Sequence, residues 1–312
     1  MPAGHTHEPV TRRRAGARAW LLTAALTLAL VPGALVGCGA SQQPAESSGA
    51  CALEIAAQQE ALVAEHRNLH AVAWTQHAAE FRATAITVYA AAAARVDEAL
   101  ADPTWTAVVE QTEGFAALPP AIILDLDETV IDNSPYQAWL IATGRDFAND
   151  TWDLWCSAGS APAIPGAVPF LQEMERRGVA LFYVSNRDAV SEQATIDNLR
   201  ALGLQADEAN VMLRGELPGG SEKSARREAV AADHRVIMLF GDNLGDFVDH
   251  VNVSGEERDA IVERYASWWG ERWFMLPNPQ YGSWVRPAAE GTFDAAPMLR
   301  QLRVWDGEGA SP

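Results

Sequence analysis

Cysteine is scarce in this chain: Cys38, Cys51 and Cys156 are the only three in 312 residues. That excludes a disulfide-stapled scaffold and a cysteine-rich metal module. No Cys-x-x-Cys-His run is present, so covalent haem attachment is excluded as well. Positive charge is also short. Lys and Arg number 23 against 41 Asp and Glu, and the formal net charge is −18. So acidic a surface repels nucleic-acid backbones, and nucleic acid is not an expected partner. No internal repeat is found, which sets solenoids aside. Disorder is excluded by a hydrophobic fraction of 48% and eleven tryptophans.

What is there begins with a basic head. Arg12, Arg13, Arg14 and Arg18 precede an apolar run from Ala19 to Val36, which ends Leu-Val-Gly-Cys at Leu35–Cys38. A basic head, a short apolar middle and a small-residue end make an export signal rather than a membrane span. The ending resembles the bacterial lipobox, which implies cleavage before Cys38 and lipid on its thiol. Residues 1–37 are thus expected to be a lipoprotein signal peptide. The protein is expected to be exported and anchored to a bacterial membrane through Cys38, facing periplasm or cell exterior. Residues 38–52 are small and polar and read as a tether; 53–312 form the folded part. Whether Cys51 and Cys156 pair is left open.

From Leu53 to Leu100 the chain is rich in Ala, Glu and Gln and has no Pro or Gly, which predicts helix. Asp102-Pro103 ends it. His66 and His70 share a helix face, but no carboxylate or cysteine accompanies them, so they read as ordinary histidines. After Pro119-Pro120 the pattern changes. AIILDLD, Ala121–Asp127, reads as a buried strand running into a turn. A helix is expected from Pro165 to Arg177, a strand from Val179 to Arg187, a helix from Ser191 to Leu202 and a strand from Arg235 to Asn243. Strands alternating with helices predict an α/β fold with a parallel sheet.

Each strand ends in polar residues, and open parallel sheets bind ligands at that edge. Asp125 and Asp127, Ser185 to Arg187, and Asp242 to Asp246 should therefore converge, with Lys223 near a helix start. Clustered carboxylates suit a hard cation such as Mg²⁺. Lysine, arginine and a hydroxyl suit a phosphate. An aspartate beside that phosphate can attack it, and a second carboxylate can move the proton.

Asp125-Leu126-Asp127-Glu128-Thr129, Ser185, Lys223 and GDNLGD at Gly241–Asp246 resemble the four motifs of the haloacid dehalogenase (HAD) superfamily. ILDLDETVIDNSPY, GDNLGDF, PNPQYGSW at Pro277–Trp284 and the pair Trp152 and Trp155 look more narrowly like the class C, lipoprotein e(P4)-like, acid phosphatases. Ile131 and Phe240 are small departures from that pattern. The resemblance implies a HAD-like Rossmannoid parallel sheet flanked by helices. It also implies a small helical lobe, from about 53–115 and 133–165. Asp125 would be nucleophile and metal ligand. Asp127 would be acid/base and offer its backbone carbonyl to Mg²⁺, with Asp242 as the third contact. Ser185, Lys223, Asn186 and Arg187 would serve the phosphate. Asp246 and Asn243 would support the metal shell, and Thr129 would hold the loop. Tyr136, Trp152 and Tyr281 would clamp the substrate's ring, which suits nucleoside 5′-monophosphates among small phosphomonoesters. The resemblance also implies acid activity, and low pH would help keep Asp127 protonated as the ester oxygen leaves. No role for Glu128 emerges. Two alternatives stand beside this reading: a non-catalytic surface lipoprotein that binds nucleotide or haem, and a phosphotransferase. Oligomeric state is open, a homodimer included.

Overall fold

The structure is a computed structural model, described for residues 66–288 and for Pro297, Met298, Arg300 and Leu302. The expected signal, the tether, Cys38 and Cys51 lie outside the described residues. Among the described residues no helix is long and apolar enough to cross a membrane.

Two helices come first, α1 (Leu69–His77) and α2 (Ala79–Ala101). Of the helical stretch expected over 53–100, residues 53–65 lie outside the described residues; the rest is helical from Leu69 as expected and divides into two helices at Ala78, whose backbone is extended. β1 (Pro120–Leu124) follows, then three helices: α3 (Ser134–Thr143), α4 (Asn149–Ala158) and α5 (Ala167–Arg176). The chain continues through β2 (Ala180–Asp188), α6 (Glu192–Ala201), β3 (Val211–Arg214), α7 (Ser224–Asp233), β4 (Arg235–Gly241), α8 (Gly255–Arg264), β5 (Trp273–Met275) and α9 (Val285–Ala288).

The sheet has five strands in the order β3-β2-β1-β4-β5, and every pairing is parallel. The expected α/β fold is present. Two strands exceed the sequence expectation, β3 and β5. Both lie at the edges and are four and three residues long, too short to show a period. The chain steps outward from β1 to β2 and β3, then returns to the other side of β1 as β4. This reversal puts the ends of β1 and β4 side by side, with Leu124 in register with Phe240. A crevice at such a switch point is where open α/β sheets bind ligands.

Alternation along β1 assigns its side chains to two cores. Ile122 and Leu124 face a cluster with Phe81, Tyr89 and Phe170, while Ala121 and Ile123 face one with Val230, Phe247 and Trp273. Helix α2 belongs to the first core. Its stripe Phe81, Ala85, Tyr89, Ala92, Val96 and Ala99 is buried, and the alanines allow close approach. Tyr89 stacks on Phe240 with centroids 5.3 Å apart. Of the helices expected in the small lobe, α2 therefore lies against the sheet, and α1 packs on α3. Trp105 and Trp273 are buried and donate their indole N–H groups to the carbonyls of Ile237 and Ala107.

Candidate active site

The turn after β1 is wound around one carbonyl. Leu126 O accepts from the N–H groups of Thr129, Val130 and Ile131. Glu128 takes φ +58°, the left-handed region that a non-glycine residue enters only when its surroundings hold it there. What holds it is Asn133, whose backbone N–H and Nδ2 both donate to the Glu128 carboxylate. Glu128 thus has a structural role the sequence did not reveal: it closes the loop that presents Asp125 and Asp127. Burial pushes its pKa well above the usual carboxylate range, and the charges of Asp127 and Asp242 add to that. Thr129 differs from expectation. Its hydroxyl is buried without a partner among the described residues, because the loop is closed by backbone groups and Glu128; its carbonyl accepts from the Tyr89 hydroxyl.

Lys223 is the only lysine in the chain. It stands just before α7, with its ammonium buried between two carboxylates, 2.5 Å from Asp125 Oδ1 and 2.7 Å from Asp246 Oδ1. Burial opposes its charge, but Asp125 and Asp246 outweigh that and raise its pKa. Asp125 is pushed up to about 7 by burial, against the pull of Lys223 and with the push of Asp246 and Asp127. Asp242 lies well above its ordinary value for the same reasons, burial first and then Asp246 and Asp125.

One carboxylate oxygen from each of Asp125, Asp242 and Asp246 lies within 4.8 Å of the others. Three hard oxygen donors with one ammonium among them leave an excess of negative charge, which a divalent cation fits. Gly241 makes this possible. A Cβ there would stand 2.3 Å from Asp246 Oδ2 and 2.4 Å from its Cβ. Asp246 is held further by the backbone N–H of Asn243. The expected metal set was Asp125, Asp242 and the backbone carbonyl of Asp127, with Asp246 in support; the carboxylates brought together here are those of Asp125, Asp242 and Asp246.

The Asp127 carboxylate faces another set of partners. It accepts from Arg187 Nε at 2.9 Å, Asn133 Nδ2 at 2.9 Å and Ser185 Oγ at 3.1 Å. Arg187 was expected among the phosphate contacts. Its guanidinium is instead 1% exposed and committed to Asp127, Asn133 and Thr195, since a cation buried at a strand end needs partners for its donors. Asn186 is exposed, and its amide joins Ser221 O and Arg226.

The family then follows from comparison with known proteins. The profile of the HAD superfamily, subfamily IIIB (acid phosphatase), matches residues 34–284. The chain belongs to this family. It is similar in structure to the class C acid phosphatase from Bacillus anthracis, one structure of which has tungstate bound. The match has TM-score 0.67 and 35% identity, and covers 77% of this chain and 98% of that one. It is similar in sequence to acid phosphatase 1 of Solanum lycopersicum, 28% identical over 164 residues, 51% of this chain and 57% of that protein. A stem 31 kDa glycoprotein of Glycine max is also 28% identical over 164 residues, 51% of this chain and 58% of that protein. The chain thus spans little more than half the length of these curated relatives.

In this acid phosphatase family member the aromatic expectations divide. Tyr136 is buried, its hydroxyl paired with Thr151 and its ring set edge-on to Trp152 at 5.2 Å. Trp152 is half-buried and faces the Arg187 guanidinium at 5.7 Å. Tyr281 lies on the loop after β5, half-buried, and among the described residues its hydroxyl has no hydrogen-bond partner. Cys156 is a buried free thiol. Sequence reasoning missed four residues that organise the site. Asn133, fully buried, joins Asp127 and Glu128 on one end of its amide and Trp155 and Arg187 on the other. Arg226 ties the Ser185 carbonyl and Asn186 to the carbonyl of Glu222, next to Lys223. Asp249 accepts from the N–H groups of Lys223 and Ser224 at the head of α7. Asn278 donates to Asp242. Asn133 and Asn278 stand inside the family-like stretches, which was the available signal.

Proposed function

We propose that the protein is an acid phosphomonoesterase that uses Mg²⁺ and forms a phosphoaspartyl intermediate on Asp125. The observation that carries the reading is the buried Asp125–Lys223–Asp246 contact at the sheet's switch point, with Asp242 beside it. Asp125, Asp242 and Asp246 would hold Mg²⁺, with the backbone carbonyl of Asp127. When bound, Mg²⁺ supplies charge neutralisation for the carboxylates and the phosphoryl oxygens.

The rest is the work of the chain. Lys223 keeps a positive charge where phosphoryl oxygens gather. Asp125 attacks phosphorus, and the bond to the ester oxygen breaks. Asp127, oriented by Arg187, Ser185 and Asn133, gives its proton to that oxygen. It then takes a proton from water, which attacks the phosphoaspartate and releases phosphate and free Asp125. The tungstate in the Bacillus anthracis relative is a tetrahedral oxyanion, which supports a phosphate-sized site here.

Nucleoside 5′-monophosphates are the proposed substrates, with Trp152 and Tyr281 as the ring contacts. The protein acts outside the cytoplasm, anchored through lipid on Cys38; the signal-like segment and its Leu-Val-Gly-Cys ending support this. The test is phosphate release from 5′-mononucleotides and p-nitrophenyl phosphate near pH 5, with Mg²⁺ and with EDTA, for wild type and Asp125→Asn. Release that needs Mg²⁺ and is lost in Asp125→Asn is expected. Equal release with EDTA would remove the metal, and activity retained in Asp125→Asn would remove the nucleophile.

A further inference from the structure

The three carboxylates of the cation cluster are not held alike. Asp125 and Asp246 both accept from Lys223, and Asp246 also from the N–H of Asn243. Asp242 has neither. Among the described residues its one hydrogen-bond donor is Asn278, whose Nδ2 lies 2.7 Å from Asp242 Oδ2. We infer that Asn278 is a positioning residue that orients Asp242 for the cation, an inference that rests on the metal-dependent reading above.

Both ends of the Asn278 side chain are in use. Its Oδ1 accepts from the backbone N–H groups of Gln280, at 2.9 Å, and Tyr281, at 3.4 Å. Those two donors require the oxygen on their side. The NH₂ is thereby aimed at Asp242, and the amide's orientation follows from the network. The loop carrying Asn278 is itself anchored. Leu276 N–H donates to Gly241 O, Ser283 Oγ donates to Asn243 Oδ1, and Arg258 donates to Ser283 Oγ and to the Val251 carbonyl. At Gly282, with φ +154°, an added Cβ would stand 2.8 Å from Asn243 Nδ2, so the loop lies directly against the Asp242-Asn243 turn.

The physical consequence concerns order before binding. A carboxylate with one oxygen tied to a fixed donor cannot rotate its plane freely. Its other oxygen is presented in one direction, and less conformational entropy is lost when a cation arrives. Partners of this kind typically change metal affinity about 10- to 100-fold.

The experiment is calorimetric titration of Mg²⁺ alone into EDTA-treated, dialysed full-length protein, without substrate. Wild type, Asn278→Ala and Asn278→Ser are compared. Serine can still accept from the turn's N–H groups but is too short to reach Asp242. The Mg²⁺ Kd is expected to rise about tenfold or more in both variants. The cation-free Tm of Asn278→Ser should stay near wild type. Rising Mg²⁺ should restore kcat, which a damaged fold would not allow. Should Asn278→Ala fail to fold, Asn278→Ser decides. A folded variant that binds Mg²⁺ within twofold of wild type overturns the role of Asn278. Wild type that takes up no Mg²⁺ overturns the metal-dependent reading beneath it, and with it this inference.

Discussion

Arg235 offers a test of whether the frame and the active edge are separable. It opens β4, is buried, and its guanidinium gathers carbonyls at the end of α2. Nη1 donates to Ala99 O and Asp102 O, both at 2.8 Å, and to Trp105 O at 3.3 Å, while Nη2 donates to Leu100 O at 3.3 Å. Ala99 and Leu100 lie in the last turn of α2, whose carbonyls have no partner within a helix. A cation at that end also opposes the helix dipole. Arg235→Met keeps the apolar stem and removes every donor. The bonds to Ala99 and Trp105 are buried, so their carbonyls lose a partner that water cannot replace, at about 1–3 kcal/mol each. The other two are partly exposed and recover water. Burial lowers the pKa of Arg235, so removing this desolvated cation returns part of the loss. The net expectation is a loss of roughly 2–4 kcal/mol. In a chain of this size that lowers Tm by roughly 3–8 °C.

The active edge should not notice. β4 runs seven residues from Arg235 to Gly241, about 20 Å at ~3.3 Å per residue, before Asp242 begins. Urea unfolding gives the stability and phosphate release from p-nitrophenyl phosphate gives the activity. A stability loss below about 1 kcal/mol would refute the carbonyl-gathering role. A fall in kcat/KM at unchanged stability would refute the separation of frame from site.

Three further expectations concern the site and its surroundings. Gly241→Ala places a Cβ 2.3 Å from Asp246 Oδ2, forces Asp246 off Lys223, and should lower kcat/KM by roughly 10²-fold or more while circular dichroism stays native; near-normal kinetics would show that Asp246 has room to shift. Asn133→Asp replaces a donor by a carboxylate beside Asp127 and Glu128, and should cost roughly 10²-fold in kcat/KM. Activity within about threefold of wild type would discard the role of Asn133 in setting Asp127. Burial pushes the Cys156 thiol up to about 12. The folded state then keeps its proton above about pH 8.5, where an unfolded thiol loses it, so stability falls as pH rises through that window. Peptide-level mass spectrometry should find iodoacetamide labelling of Cys156 at pH 8 slow in native protein and fast in urea; equal rates would contradict the burial.

The chemistry was legible in the sequence because it sits at strand ends. The apolar runs of β1, β2 and β4 give way to polar residues at Asp125, Ser185 and Asp242, and a parallel sheet has one edge at which such endings meet. Lys223 was readable from its place beside a helix start. Order along the chain therefore determined the sheet's central strands, the polar cluster and the family-like motifs. The edge strands were not readable. Val211–Arg214 and Trp273–Met275 are strands only because β2 and β4 offer them free backbone groups.

Tertiary structure also decided how the charges are shared. Several carboxylates and cations at one edge permit many pairings on paper. Packing chooses among them: Gly241 lets Asp246 under Lys223, the buried Arg187 turns to Asp127, and Glu128 bends back to Asn133. Asn278 reaches Asp242 across 36 residues, which no local pattern could specify. The physical reason is that a buried charge must find a partner in space, and the nearest partner is set by the fold rather than by spacing along the chain.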